Sequence, residues 1–155
     1  MDRHELKDDF GRLFWVVVDD DDAERIIFRI RRASFVIGHV MTRAYYSAWH
    51  INDFVIERTT SEQIMLGPLP VLPARIYRNR DRGIGTRVMQ FVIQEARRRG
   101  IRQITGEVVP EKPEDAEALK RFYIRLGFRI EPAGESAMNG AVARFVMDIE
   151  PETEI

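Results

Sequence analysis

The sequence predicts an α/β domain in which a central sheet is flanked by helices, and three observations predict it. Val88, Phe91, Val92, Glu95 and Ala96 recur at helical spacing with the apolar members on one side, directly after a turn rich in arginine and glycine. Leu119, Phe122, Tyr123 and Leu126 repeat that period before Gly127-Phe128, a helix stop followed by the start of a strand. Around these helices lie short apolar runs bounded by turn residues, which is how strands read in sequence.

Length and composition bound the rest. The 155 residues fit one domain, 1–155, with no repeat or linker dividing it, and can bury a real core. Apolar residues make up 45% and charged residues 32%, ordinary values for a globular protein. The absence of cysteine excludes disulfides, cysteine metal sites and a cysteine nucleophile. Neither a signal peptide nor an apolar run of membrane-spanning length is present, so a cytoplasmic protein with no membrane partner is expected. A net charge of −1 argues against a general nucleic-acid binder, and aromatic residues are sparse among the arginines. Those arginines nevertheless crowd between Arg75 and Arg102, where Asp81 and Glu95 are the only acids.

Taken in order, residues 1–11 read as a short helix or a loose leader, with Met1, Leu6 and Phe10 as its apolar members. Leu13 to Val18 is a strand candidate, and Asp19 to Asp22 an acidic break. Arg25 to Arg32 alternates as a strand does, although its acidic start and basic end would also suit a capped helix. The strand reading is favoured because Ala33-Ser34 supplies a turn and Phe35 to Val40 a partner. Trp49 to Glu57 gives a further strand. Residues 58–79 follow as an insertion, since Gly67-Pro68-Leu69-Pro70-Val71-Leu72-Pro73 cannot be a central strand when proline donates no ladder bond. The alternative is that Ala74 to Arg78 is the true fourth strand.

The helix of Val88 to Ala96 ends in Arg97-Arg98-Arg99-Gly100, and Gln103 to Val109 forms the next strand, with Ile104, Gly106 and Val108 on one face. Pro110 to Pro113 ends it, and Glu114-Asp115 suit the positive end of the following helix. Gly134 to Gly140 is a loop, Val142 to Ile149 closes the sheet, and residues 150–155 form a frayed acidic tail.

The turn Arg80-Asp81-Arg82-Gly83-Ile84-Gly85-Thr86-Arg87 carries the chemistry. A helix opening on glycines leaves its first N–H groups unpartnered and points its positive dipole end outward, so it suits a phosphate, with Arg80, Arg82 and Arg87 able to add charged contacts. The dinucleotide fingerprint fails at Val88 and no P-loop lysine follows. Alone, such a turn is weak evidence for a ligand. Arg80-x-x-Gly83-x-Gly85, however, resembles the Gln/Arg-x-x-Gly-x-Gly/Ala motif of the GCN5-related N-acetyltransferase (GNAT) family. Leu119 to Phe128 resembles that family's Leu-Tyr-x-x-x-Gly-Phe motif, and the two stand in the family's order, with one helix and one strand between them.

The resemblance implies a mixed, mostly antiparallel sheet and acetyl-coenzyme A as cosubstrate, its diphosphate on Arg80, Arg82, Gly83, Ile84, Gly85, Thr86 and Arg87. It further implies a sheet splayed beside Val55 and Ile56, whose backbone would meet the pantetheine arm and the acetyl oxygen. Val36-Ile37-Gly38-His39 resembles the family's strand that carries an apolar-Val-Gly pair. Two departures stand out: the usual two helices between the first strands have no room, and Ala116 stands near the family's asparagine position.

The implied reaction is direct acetyl transfer to a primary amine of a small molecule or a protein; a noncatalytic acyl-coenzyme A-binding regulatory domain is the alternative. Amide formation from a thioester needs a neutral amine, a hydrogen bond to the departing sulfur and an N–H for the oxyanion. By the resemblance Tyr123 is the donor to sulfur, although a tyrosine beside Phe122 would also suit a core. Asp53, Glu57 and Glu107 are the candidate bases, each also readable as a solvent-facing strand carboxylate. His39 and His50, on different strands with no third ligand, read as satisfied strand histidines and not as a metal pair. Tyr45, Tyr46 and Trp49 read as sheet packing. Subunits could pair through the C-terminal strand or the proline-rich excursion.

Overall fold

The structure, a computed structural model, describes residues 2–57, 59–66, 69–78, 83–135, 137 and 140–151, and at Asp21 and within 59–66 and 69–78 the description is of the backbone alone. Strands β1 (Asp2–Lys7), β2 (Leu13–Asp22), β3 (Arg25–Arg32), β4 (Phe35–Tyr45) and β5 (Ala48–Ile56) run as an antiparallel meander. Next come β6 (Thr59–Leu66), β7 (Leu69–Arg78), helix α1 (Ile84–Arg98), β8 (Gln103–Val108), helix α2 (Ala116–Arg125), β9 (Arg129–Glu131) and β10 (Ala143–Asp148). The main sheet has eight strands in the order β1-β2-β3-β4-β5-β8-β10-β9, and β5 with β8 is its one parallel pair.

Several expectations are corrected. Residues 2–7, read as a helix or leader, pair with β2 from Asp2↔Val18 to Lys7↔Leu13. Alternation explains it: Leu6 packs on the core and His4 meets Phe91 on the same side, while Arg3, Glu5 and Lys7 face outward, so a polar stretch can still be an edge strand. The acidic break at Asp19 to Asp22 is the end of β2, where Asp19 accepts a 2.6 Å ion pair from Arg29 across the hairpin. Strands β6 and β7 pair in a separate two-stranded sheet, and β5 itself pairs with β8, which excludes Ala74 to Arg78 as the fourth strand of the main sheet. The closing strand, β10, lies between β8 and β9 and not at the edge.

One face of the sheet carries both helices. Phe28 of β3, Phe54 and Ile56 of β5 and Phe145 of β10 all point to it, and Phe91 of α1 meets Phe28 edge-on at 6.2 Å. Phe122 of α2 stacks on Phe54 at 6.2 Å. On the opposite face no helix packs among the described residues, and Arg29, His39, Met41, His50, Thr105 and Glu107 occupy it. The β1–β2 turn is tied down by Asp8, which is 3% exposed, accepts backbone N–H bonds from Phe10 and Arg12, and pairs with the buried Arg32 at 2.6 Å.

α1 buries Val88, Met89, Val92 and Ala96, as its period requires. At its far end the buried Glu95 accepts from Arg98 and, at 2.8 Å, from Arg99, which also reaches Asp20 at 2.9 Å. Those two arginines therefore brace the end of the helix opposite the glycine turn. α2 ends as its sequence predicts: the Phe128 N–H bonds to the Tyr123 carbonyl at 3.1 Å and the Gly127 N–H to that of Ile124 at 3.0 Å, a Schellman closure with Gly127 at φ 101.

Candidate active site

The opening of the site starts from one extra residue. Met41 pairs with Asp53 and Thr42 with Ile51, so Asn52 is a β-bulge in β5. A bulge bends its strand and increases its twist. β5 pairs with β8 only from Ala48↔Gln103 to Ile51↔Gly106, and from the bulge onward it leaves β8 while β4 still holds it as far as Ile56. The sheet thus splits after Ile51.

A cleft of about 1390 Å³ fills the split, lined on one side by Asn52 to Ile56 and on the other by Glu107, Val109 and α2. The N-terminus of α1 closes its end with Gly83, Ile84, Gly85 and Thr86. Gly83 caps α1 at φ 74 with no side-chain bond to the helix, and the N–H groups of Ile84, Gly85 and Thr86 have no partner among the described residues. This backbone conformation is one a Cβ disfavours. Such an end is built to take an anion, because three donors and the helix dipole converge on it.

Asp9, which the sequence placed in a leader, stands beside that turn. Its carboxylate lies 2.3 Å from where a Cβ on Gly83 would be, and Arg87 pairs with it at 3.2 Å. Arg87 therefore answers a carboxylate and is absent from the cleft lining. Arg80 and Arg82 lie outside the described residues.

Tyr123 forms part of the cleft wall with its ring buried. The ring stacks on Phe145 at 3.9 Å and 11°, and Phe122 and Phe128 meet it edge-on at 5.1 and 5.8 Å. Gly106 makes this stack feasible, since a Cβ there would lie 2.0 Å from Phe145 Cζ. The hydroxyl has no hydrogen-bond partner among the described residues and is not among the sealed polar atoms, so it keeps access to the cleft. Burial pushes the phenol pKa well up, which keeps it protonated at neutral pH.

The three carboxylates are not equivalent. Asp53 lines the cleft and bonds His39 Nε2 at 2.8 Å. Glu107 lines it from β8, opposite Arg144 in the β8–β10 register. Glu57 follows β5, is exposed, and is not part of the lining. His50, read from sequence as a satisfied strand histidine, also lines the cleft, with Nδ1 2.8 Å from Thr105 Oγ1. Its place three residues before Asp53 on the same strand was the signal available, but only the register with β8 brings Thr105 to it.

A split sheet with a bare helix N-terminus at the end of the split defines the class: an acyltransferase fold built to seat a nucleotide thioester. The chain belongs to the acetyltransferase (GNAT) family, whose profile matches residues 2–128. Members are acetyl-coenzyme A-dependent N-acetyltransferases, and this chain is accordingly an enzyme of that kind. Among solved structures, it is similar to the GNAT domain of S. lividans PAT, with 13% identity and a TM-score of 0.65 over 95% of this chain and 97% of that one. It is also similar to the ribosomal-protein-S18-alanine N-acetyltransferase of Escherichia coli, with 15% identity and a TM-score of 0.55 over 86% and 75%. The PaiA N-acetyltransferase of Thermoplasma acidophilum, solved with coenzyme A, aligns at 12% identity and a TM-score of 0.53 over 81% and 62%. At such identities the likeness is one of fold. Comparison with curated protein sequences gives no match.

Proposed function

We propose that this chain transfers acetyl from acetyl-coenzyme A directly to a primary amine of a small molecule or a protein. The observation that carries this is the meeting, in one cleft, of the split between β5 and β8 with the unpartnered N–H groups of Ile84, Gly85 and Thr86. In this reading those groups, with Gly83 leaving room, hold the diphosphate, and Arg87 exchanges Asp9 for it. Val55 and Ile56 stand in the stretch of β5 that no longer pairs with β8, so their strand offers free main-chain edges to pantetheine and to the acetyl oxygen. The thioester supplies an activated acyl group, and no covalent enzyme intermediate is required.

Tyr123 donates a hydrogen bond to the departing sulfur. Its raised pKa makes it a donor that stays protonated throughout turnover and not a strong acid. Asp53, Glu107 and Glu111 line the cleft and favour the arrival of a protonated amine. Calorimetric titration tests the first step: acetyl-coenzyme A should bind the wild-type chain, and release of free coenzyme A should rise with a suitable amine. The absence of binding would end this reading, and binding without transfer to any amine would favour the noncatalytic alternative.

A further inference from the structure

Direct transfer to an amine needs a group to take the ammonium proton, and four side chains on or next to β5 and β8 could be asked to do it. Glu57 stands outside the lining. Asp53 is engaged by His39 at 2.8 Å. Glu107 lines the cleft opposite Arg144 in the β8–β10 register, and a carboxylate is in general a weak base toward an amine of pKa about 10. His50 differs in three ways. It lies in the pair His50↔Thr105, one pair before β5 and β8 part after Ile51. Its Nδ1 is anchored at 2.8 Å on Thr105, a residue 7% exposed and held in the sheet between β5 and β10. Its Nε2 makes no hydrogen bond to any described residue, and the side chain lines the cleft.

We propose that His50 is the proton acceptor of the reaction, with Nδ1–H donating to Thr105 Oγ1 and the Nε2 lone pair presented to the acceptor amine. The inference rests on the acetyl-transfer reading above. The ammonium of the acceptor gives one proton to Nε2; the neutral amine then attacks the thioester carbonyl carbon, forming the C–N bond as the carbonyl pair moves to oxygen. Return of that pair breaks the C–S bond, whose electrons leave on sulfur under the hydrogen bond from Tyr123. The second nitrogen proton and the His50 proton pass to solvent, the thiolate takes one from it, and the sum is amide, free thiol and one released proton.

The surroundings suit a base at neutral pH. Burial lowers the His50 pKa, Glu107 works against that and Arg144 with it, so the imidazole is neutral at pH 7. The other charged groups facing it are Arg43, its register partner on β4, and Asp53, beyond the bulge. Activity therefore falls on the acid side as His50 gains its proton, at a pH below the ordinary histidine value of about 6.5.

His50→Gln tests this while keeping a polar side chain. With acetyl-coenzyme A and a panel of primary amines, thiol release should fall roughly 10²- to 10⁴-fold and lose its acid limb, while acetyl-coenzyme A affinity by titration changes little. A variant that keeps both rate and acid limb overturns the assignment; a wild-type chain that fails to bind acetyl-coenzyme A instead overturns the reading beneath it. A second readout needs no acceptor. In NMR of the full chain, the His50 imidazole should titrate below the ordinary histidine value of about 6.5, carry its proton on Nδ1, and shift when acetyl-coenzyme A binds. An imidazole protonated on Nε2, or indifferent to acetyl-coenzyme A, sinks the proposal.

Discussion

Two side chains at the cleft make separable predictions. Tyr123 is held by rings on three sides, so Tyr123→Phe keeps the stack on Phe145 and removes only the hydroxyl. Turnover should drop by roughly 10²-fold at unchanged acetyl-coenzyme A affinity; equal rates would show that sulfur leaves without help. Asp9 sets a negative charge beside the proposed anion-binding turn and occupies Arg87. Asp9→Asn should tighten acetyl-coenzyme A binding about threefold at low salt, a gain that added salt erases. If affinity falls instead, Asp9 is holding the turn in shape and not competing with phosphate. The place of Tyr123 on the cleft wall was legible because its motif is local, whereas nothing near Asp9 in sequence points to a turn 74 residues further on at Gly83.

At the scale of elements, turns and close approaches set where the site lies. Gly83→Ala would put a Cβ both into a left-handed backbone at φ 74 and onto Asp9, so about 1–2 kcal/mol of stability and most acetyl-coenzyme A binding should go together in melting and titration experiments. Gly106→Ala forces Phe145 from β8 and with it the ring under Tyr123. A loss of about 1–3 kcal/mol is expected, and adding Phe145→Leu should restore stability without restoring turnover.

The β1–β2 turn behaves as a charged clasp. Burial raises the Asp8 pKa, but the Arg12 and Phe10 N–H groups and Arg32 outweigh it, and the folded value lies below the ordinary one. The clasp thus stabilises above the unfolded aspartate pKa of about 3.9 and is lost as pH falls through the folded value. Asp8→Ala leaves Arg32 buried without that partner's charge and should cost about 3–5 kcal/mol in denaturant unfolding, most visibly near neutral pH. A cost that persists unchanged in strong acid would refute the clasp.

For the molecule as a whole, among the described residues the β6–β7 hairpin pairs only with itself, while the main sheet passes from β5 to β8 without it. Replacing residues 59–78 by a short flexible linker should therefore preserve the cooperative melt and acetyl-coenzyme A binding. Change should be confined to acceptor range or to association of subunits, read by an amine panel and by light scattering. Collapse of the fold on that replacement would show that the hairpin belongs to the core and not beside it.

By itself the sequence determined the two helices, their glycine stops, the strands β2 to β5 and the exclusion of the proline-rich excursion from the main sheet. Each of these follows from periodicity or from a backbone restriction felt within a few residues. It read residues 2–7 poorly because an edge strand contributes little apolar signal, and it read Asp19 to Asp22 as a break because charges that pair across a hairpin look unpaired in one dimension. Only the tertiary structure decided that Asn52 bulges, that β5 parts from β8 after Ile51, that β10 lies inside β9, and that His50 finds Thr105 from 55 residues away. The reason is physical: local conformation is set by neighbours in the chain, whereas a register and the gap it opens are set by packing between strands distant in sequence.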